Sequence, residues 1–543
     1  MVRKALMFQS PSRLQDVACL WVFALLCLIV LFANLGSAAL FEPDEGRNAE
    51  VGREILLLKD WVTPHYNFIP RLDKPIFFYW LVAWSQKLFG LSEWSARLPS
   101  VLFGLAGVFL VYRLARTLLG PWEGLWSGLI LVTSFEYFIL SRTVILDMTL
   151  TFFITLSLGA FWWARHADRS GTKKTFYLLM YGAMGCATLV KGPIGVLLPG
   201  MVIFVYLLVG KKWSILREME LPLGAAIFFL VATPWYLWAE WRNPGYLRYF
   251  FLHENILRFS SDYFEQGKPW YYFFLVLAIG LLPWTFLIPS VVKDLWKGPP
   301  DDKRLFLILW AVLPFLFFSL SHWLLSLPLI TLIVLLLTFV LLRLGPSVFA
   351  LPLPDPVYHV SQAIPFWLPA ILLSLSIIVV LTLWTNLGSK RARFYLVSCA
   401  SCALFFFFLH HVIAAVSGIR SSKELAEKSA ALIRAEDQIA VYDTYLSSLP
   451  FYLGAQKPIW AVWSGKKSGI LGSHYVAVKK PPPAPGYGKV LVTFEEFSQA
   501  RKESNGRVLV FVKEKNLSHL SERFGVMPKR LLQVDEIVLV TNR

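Results

Sequence analysis

Long apolar runs alternate with short polar segments along most of the chain. A helix needs about 20 mainly apolar residues to cross the hydrocarbon core of a bilayer. Runs that approach or exceed this length predict membrane spans at about 17–40, 95–117, 122–140, 146–165, 174–190, 193–209, 220–239, 270–290, 304–320, 324–343, 365–385 and 394–416. Basic residues at 390–393 indicate that one crossing near 324–364 is miscounted. The pattern therefore predicts a polytopic α-helical membrane protein with about 12–13 spans.

The pattern changes after residue 417. Short β-type runs at 439–441, 490–494, 508–512 and 537–540 alternate with helical stretches at 421–435, 495–503 and 515–524. The chain is therefore predicted to have two parts, a membrane domain at 1–417 and a small soluble α/β domain at 418–543. The second part shows no nucleophile elbow, phosphate loop or metal-binding pattern, so we interpret it as accessory.

Clusters of Lys and Arg follow alternate spans, and such clusters favour the cytoplasmic side of a membrane. The loops at 41–94 and 240–269 are then predicted on the opposite face, together with shorter segments at 141–147 and 190–193. Every segment that carries candidate chemistry lies on that face. An enzyme working there has no ATP or nucleotide sugar at hand, so it must take its activated substrate from the lipid.

Composition agrees with a membrane location. Of the 543 residues 56% are hydrophobic and only 16% are charged, which excludes an ordinary soluble globular protein. The net charge of +17 comes from short clusters between apolar runs, without any nucleic-acid-binding motif. Membrane lipids, not nucleic acid, are therefore the predicted partners of these cations. The five Cys residues are scattered in apolar segments and indicate neither disulfides nor a metal site.

Residues 41–50 (FEPDEGRNAE) stand just beyond the first span and concentrate charge in a chain that has little. Asp44 is predicted to cap a helix that begins at Glu45. Apolar residues recur at helical spacing from 51 to 62, which predicts an amphipathic helix along the membrane surface. Its polar residues are expected to point away from the apolar face: Arg47, Glu50, Arg53 and Glu54.

Ionisable groups at span boundaries are costly unless they are solvated, paired or functional. On the outer face the candidates are Asp44, Glu45, Arg47, Lys74, Arg142, Asp147, Lys191, His253 and Arg258. Each alone has a structural explanation, such as helix capping for Asp44 or interface snorkelling for Lys191. Together, two carboxylates with several cations would suit an anionic phosphate and a substrate that needs polar orientation.

The motifs resemble those of the bacterial lipid A aminoarabinose transferases and the wider dolichyl-phosphate-mannose protein mannosyltransferase-like group. The matching segments, in order, are PDEGRNAE at 43–50, GRE at 52–54, DWVTPH at 60–65, DKP at 73–75, LD at 146–147, TLVKGP at 188–193, HENILRF at 253–259 and LPW at 282–284. The resemblance runs from about residue 15 to 320. It implies a GT-C glycosyltransferase fold with a periplasmic C-terminal α/β domain and a sugar donor linked to undecaprenyl phosphate.

The resemblance also implies roles for individual residues. Asp44 and Asp147 would be the catalytic carboxylates of the first and second loops. The residues expected near the donor and its phosphate are Glu45, Arg47, Lys74, Lys191, His253 and Arg258. The loop at 321–328 lacks the Lys and Tyr residues common in the aminoarabinose enzymes, so the sugar and the acceptor stay open.

The predicted function is transfer of a sugar, with inversion at its anomeric carbon, from a polyprenyl phosphate to lipid A or another envelope glycan. The predicted location is the bacterial inner membrane, with the site facing the periplasm. A protein O-glycosyltransferase of the same fold and, from a different class, a secondary transporter are the alternatives. A divalent cation between Asp73 and His253 is chemically feasible, but two ligands do not make a site, so no metal or cofactor is assigned.

Overall fold

The computed structural model describes residues 13–257, 271–295, 301–320, 421–444, 446–463, 490–503, 507–524 and 527–541. The N-terminal part is helical. Its α-helices are α1 (Arg13–Phe32), α2 (Asp44–Leu58), α3 (Phe77–Phe89), α4 (Glu93–Leu118), α5 (Pro121–Val132), α6 (Phe135–Ser141), α7 (Leu146–Arg165), α8 (Ser170–Lys191), α9 (Ile194–Val209), α10 (Leu221–Arg242), α11 (Tyr246–Arg248), α12 (Tyr272–Gly280), α13 (Ile288–Leu295) and α14 (Asp302–Leu320). A π-helical segment, Tyr249–Leu257, follows α11 directly.

Within the described residues, three helices are long and apolar enough to cross a membrane, namely α4, α7 and α10. Two bent pairs raise this number to five if each pair forms one span. The protein is therefore a multi-pass membrane protein, as predicted. Three of the predicted spans, at 324–343, 365–385 and 394–416, lie outside the described residues, and the total of about 12–13 spans stays a prediction.

The two bent pairs correct the prediction of straight spans at 122–140 and 270–290. Helices α5 and α6 meet at 68°, and α12 meets the segment Trp284–Lys293 at 105°. Two hydrogen bonds join the regions where these helix pairs break. The Phe135 N–H donates to the Leu282 carbonyl at 3.0 Å, and the Trp284 indole N–H donates to Thr133 Oγ1 at 2.9 Å. These bonds satisfy polar groups that a helix break would leave without partners in an apolar environment.

Between α2 and α3 the chain forms a short hairpin of β1 (His65–Tyr66) and β2 (Ile69–Pro70). Both turn residues, Asn67 and Phe68, have positive φ, which gives the tight two-residue turn that joins antiparallel strands. The Glu54 carboxylate accepts the Phe68 N–H at 2.9 Å and so ties the turn to α2.

The described C-terminal residues form a mixed sheet with helices. Its strands are β3 (Gln438–Tyr442), β4 (Trp460–Trp463), β5 (Leu491–Thr493), β6 (Val508–Lys513), β7 (Lys529–Val534) and β8 (Ile537–Thr541). Its helices are α15 (Lys423–Ala430), α16 (Leu449–Leu453), α17 (Phe494–Glu503) and α18 (Glu514–Phe524). The strand order is β5-β4-β3-β6-β8-β7. Strands β5, β4, β3 and β6 are parallel to one another, and β8 pairs antiparallel with both β6 and β7. The predicted small α/β fold is confirmed, whereas β4 and β7 escaped prediction.

One face of this sheet packs on the first loop of the membrane part. Ile55 of α2 belongs to the same apolar core as Leu509 and Phe511 of β6. The expected exposed polar face of α2 is wrong as a consequence, because Glu50 and Arg53 are buried and form an ion pair at 2.7 Å. Arg53 also donates to the carbonyl of Ala455 at 2.7 Å, so the helix is covered on both faces.

Candidate active site

Helix α2 begins at Asp44 itself, one residue earlier than predicted. Pro43 occupies the N-cap position and no side chain caps the helix, so the capping role expected of Asp44 is wrong. The Asp44 carboxylate instead accepts a hydrogen bond from the Arg47 guanidinium one turn further along. Asp44 remains 55% exposed, whereas Arg47 is only 11% exposed. Asp44 therefore presents a charged group that helix formation does not use.

Glu45 is the opposite case. Its carboxylate forms a two-point ion pair with Arg97 of α4, at 2.9 and 2.8 Å, and both side chains are buried. The same carboxylate accepts the N–H groups of Val144 at 2.9 Å and Phe41 at 3.0 Å. Four protein donors thus occupy a group that was predicted to bind the donor substrate. This geometry favours a structural role for Glu45, since no oxygen is left without a protein partner.

Sequence reasoning missed Arg97, although a signal for it existed. The residue lies inside the apolar stretch predicted as a span at 95–117, where a charged group is costly without partners. In addition to Glu45, its guanidinium binds the carbonyls of Leu35, Ala38 and Ala39 at 2.7–3.0 Å. Arg97 therefore holds the chain between α1 and α2 in place.

A second group of charges surrounds Asp73. Arg71 donates to the Asp73 carboxylate at 2.8 Å, and the Lys74 ammonium donates to the Asp73 carbonyl at 3.1 Å. Burial alone would raise the pKa of Asp73, but the positive charges of Arg71, Lys74 and Arg47 hold that pKa well below its usual range. Lys74 and Arg47 thus both lie close enough to Asp73 to act on its charge.

A divalent cation between Asp73 and His253 would have to share the Asp73 carboxylate with a guanidinium. Arg71 already binds the Asp73 carboxylate. In the part of the chain that the structure describes, no three His, Cys, Asp or Glu side chains gather in a way that could hold a metal ion.

The second-loop carboxylate forms another ion pair. Asp147, in the first turn of α7, pairs with Lys191 at the end of α8, and the two side chains are 37% and 33% exposed. Gly192 follows with a φ of +83°, and a Cβ at this position would lie 2.7 Å from the Phe250 ring. The corner after α8 therefore packs against the π-helical segment Tyr249–Leu257, whose main chain includes His253. Arg258 lies outside the described residues.

The first and second loops are joined through the backbone of one residue, Val144. Asn48 of α2 donates to the Val144 carbonyl at 2.7 Å, while the Val144 N–H donates to Glu45. Val144 stands three residues before Asp147. The start of α2 is therefore fixed relative to the start of α7, although about 100 residues separate them in sequence.

A cavity of about 220 Å³ adjoins Asp44. Its charged lining residues are Glu42, Asp44, Glu45, Arg97 and Arg142, and apolar side chains from α6 and from the segment between α1 and α2 complete it. Arg142 donates to the carbonyls of Val30 and Leu31 at 3.2 and 3.0 Å, near the end of α1. The cavity is smaller than most ligand pockets, which suits one sugar-sized group better than a whole lipid.

Known proteins resemble the chain in sequence and in fold. Residues 73–238 match the family described as dolichyl-phosphate-mannose-protein mannosyltransferase. Undecaprenyl phosphate-alpha-4-amino-4-deoxy-L-arabinose arabinosyl transferases are similar over slightly more than half of each chain. The relative from Edwardsiella ictaluri is 32% identical over 310 residues, which cover 57% of this chain and 56% of the relative. A Pseudomonas aeruginosa relative is 34% identical over 316 residues, with the same coverage.

The crystal structure of ArnT from Cupriavidus metallidurans bound to undecaprenyl phosphate superposes with a TM-score of 0.78 at 24% identity. The superposition covers 97% of this chain and 98% of that protein. The sequence match thus spans about half the length of the curated relatives, whereas the fold match spans nearly the whole chain. The chain is thus similar in sequence to these transferases over about half of their length, and similar in fold to the ArnT structure over nearly its whole length.

Proposed function

We propose that the protein transfers a sugar from a polyprenyl phosphate, such as undecaprenyl phosphate, to an acceptor at the outer face of the bacterial inner membrane. The observation that carries the proposal is the gathering of Asp44 and Arg47 with Lys74, in the first loop, and the pairing of Asp147 with Lys191, where α7 begins and α8 ends. The names of the relatives and the undecaprenyl phosphate in the superposed structure support the choice of donor.

The cations have a definite task in this reaction. As the bond from the anomeric carbon to the phosphate oxygen breaks, the departing polyprenyl phosphate gains negative charge. Ammonium and guanidinium groups positioned beforehand stabilise that charge more in the transition state than in the ground state. We assign this task to Lys74, with Arg47 beside it, and to Lys191; His253 and Arg258 keep the same assignment as predictions from the resemblance.

The role of Asp44 depends on the acceptor. A hydroxyl acceptor must lose a proton as it attacks the anomeric carbon, and Asp44 would accept it as general base. A phosphate acceptor is already an anion, so Asp44 would then orient a substrate without taking a proton. The cavity beside Asp44 would hold the reacting sugar-sized group, with Asp147 completing the site. Lipid A or another envelope glycan is our proposed acceptor, and a protein hydroxyl is the alternative.

Membrane vesicles containing the purified protein test the proposal. We expect radiolabel to move from an undecaprenyl phosphate-linked sugar to lipid A, or to an envelope glycan fraction, and to release undecaprenyl phosphate. Lys74→Met is the matched variant, because it removes one cation and keeps a long side chain; we expect it to fold and to lose most of the transfer. Movement of the donor across the vesicle membrane without transfer would overturn the proposal in favour of a transporter.

A further inference from the structure

The residue two positions before Asp44 is bound by the C-terminal domain. Glu42 Oε1 accepts hydrogen bonds from the Ser448 hydroxyl at 2.8 Å and the Ser448 N–H at 3.2 Å. The Ser422 hydroxyl donates to the same oxygen. The two serines lie 406 and 380 residues further along the chain. These contacts, distant in sequence, join the first loop of the membrane part to the C-terminal domain.

Ser448 also touches the helix on the other side of Asp44. A Cβ built on Gly46 would lie 2.5 Å from Ser448 Cβ and 2.7 Å from its backbone nitrogen. Only a glycine at position 46 allows this approach without displacement of the chain. Ser448 therefore contacts residues at both i−2 and i+2 of Asp44 and fixes the first turn of α2 from outside.

Other contacts that involve neither Glu42 nor Ser448 also hold the two parts together. Lys423 forms an ion pair with Glu93 at 2.7 Å. The side chain of Asn67 exchanges two hydrogen bonds with the backbone of Ile459, at 2.7 and 2.8 Å. These contacts stabilise the interface without binding Glu42. A variant that loses one of them therefore tests whether weaker docking of the C-terminal domain alone lowers the activity.

We propose that Glu42 and Ser448 are positioning residues that set the orientation of Asp44, so that the C-terminal domain forms part of the active site. The sequence had indicated an accessory domain. The inference rests on the proposed transfer reaction, because it assigns Asp44 a place against the substrate. The inference adds that residues of the C-terminal domain are needed for the rate of the reaction and contribute little to substrate binding.

Four variants in vesicles test this proposal, with an undecaprenyl phosphate-linked radiolabelled sugar as the probe. In Glu42→Ala and Ser448→Ala we expect kcat to fall roughly tenfold to a hundredfold, as small misplacements of reacting groups do, with KM little changed. Glu42→Gln keeps the accepting oxygen and should restore most of the rate. Lys423→Met breaks an interface ion pair that involves neither Glu42 nor Ser448, and it should keep kcat.

Two results would overturn the proposal: an unchanged kcat in Glu42→Ala, or an equal fall of kcat in Lys423→Met. The second result would mean that docking alone matters. Amide hydrogen exchange of the peptide containing residues 41–50 gives a readout that does not require activity. Exchange should rise in Glu42→Ala but not in Lys423→Met, and equal exchange in the two variants contradicts the proposal. Absence of transfer by the wild-type protein would count against the proposed function, and the exchange experiment would still decide the positioning role.

Discussion

The first turn of α2 and the two turns that follow it belong to one helix and carry the same kinds of charged residue, but their surroundings differ. In the first turn Asp44 is 55% exposed beside a cavity and pairs with Arg47 at its own surface. Further along, Glu50 and Arg53 are 0% and 4% exposed beneath the C-terminal domain. Charge on this helix is therefore exposed to a possible substrate at Asp44 and buried within the fold further along.

The boundary between the two behaviours is sharp, because it falls between adjacent residues. Asp44 pairs with Arg47 at the surface, whereas four donors surround the Glu45 carboxylate. A buried ion pair with satisfied oxygens fixes structure. A half-exposed carboxylate beside a cavity can meet a substrate. Two carboxylates that are adjacent in sequence thus lie in opposite surroundings.

Removal of the Arg97 charge should give the largest stability effect. Arg97→Met leaves the Glu45 carboxylate buried without its cation, which costs about 3–5 kcal/mol. We expect a large fall in the thermal unfolding midpoint in detergent. The matched double variant, Arg97→Met with Glu45→Gln, removes the stranded charge and should recover part of the loss. If Arg97→Met unfolds at the wild-type midpoint, Glu45 needs no partner. That result would contradict the contrast drawn between Glu45 and Asp44.

Lys191→Met should lower turnover more than stability, in contrast to Arg97→Met. The pair with Asp147 is about one third exposed, so Lys191→Met should change stability by no more than about 1 kcal/mol. A lost charge-assisted contact to the donor phosphate is worth about 1.5–3 kcal/mol and would lower turnover roughly tenfold to a hundredfold. Transfer assays and unfolding midpoints measured on one preparation check both parts. Unchanged turnover would remove Lys191 from the site.

Glu54→Gln should give the smallest effect on stability, and the size of that effect depends on pH. Burial, together with the neighbouring charge of Glu50, raises the pKa of Glu54 well above its ordinary value. Stability from the protonated form is complete below the ordinary pKa, near 4.5, and is lost as pH rises through the raised pKa. A tenfold difference in proton affinity between the folded and unfolded states corresponds to about 1.4 kcal/mol.

The glutamine variant cannot ionise, so it should melt like the wild type at pH 4 and at an equal or higher temperature at pH 8. Unfolding midpoints across this range provide the measurement. A wild-type midpoint that rises relative to the variant as pH increases would show that Glu54 is charged in the folded protein.

Local pattern predicted what depends on neighbours in sequence. Helix α4, predicted at 95–117, is observed at Glu93–Leu118, and the start of α2 was misplaced by one residue. The apolar periodicity predicted which face of α2 is buried, but it did not predict that the C-terminal domain covers the polar face. That cover comes from residues near 455, about 400 positions away, and no local rule reports such a contact.

The same limit applies to the candidate site: local sequence features were predicted, and long-range partners were not. The charged residues at span boundaries were found because a charge there is costly without a function or a partner. Which partner each one has could not be predicted, because Arg97 reaches Glu45 across 52 residues and Lys191 reaches Asp147 across 44. Asp44 was recognised as a candidate, but its capping role failed because Pro43 already occupies the N-cap position.

The most direct test of the account compares Asp44→Asn with Glu45→Gln in the same vesicles, with turnover and thermal unfolding measured side by side. Both substitutions keep the size of the side chain and remove its charge. We expect Asp44→Asn to lose roughly a hundredfold or more in turnover with an unfolding midpoint close to that of the wild type. Glu45→Gln should lower the midpoint clearly, because it leaves Arg97 without a counter-charge. Wild-type turnover in Asp44→Asn would contradict the account and return the open end of α2 to a structural role.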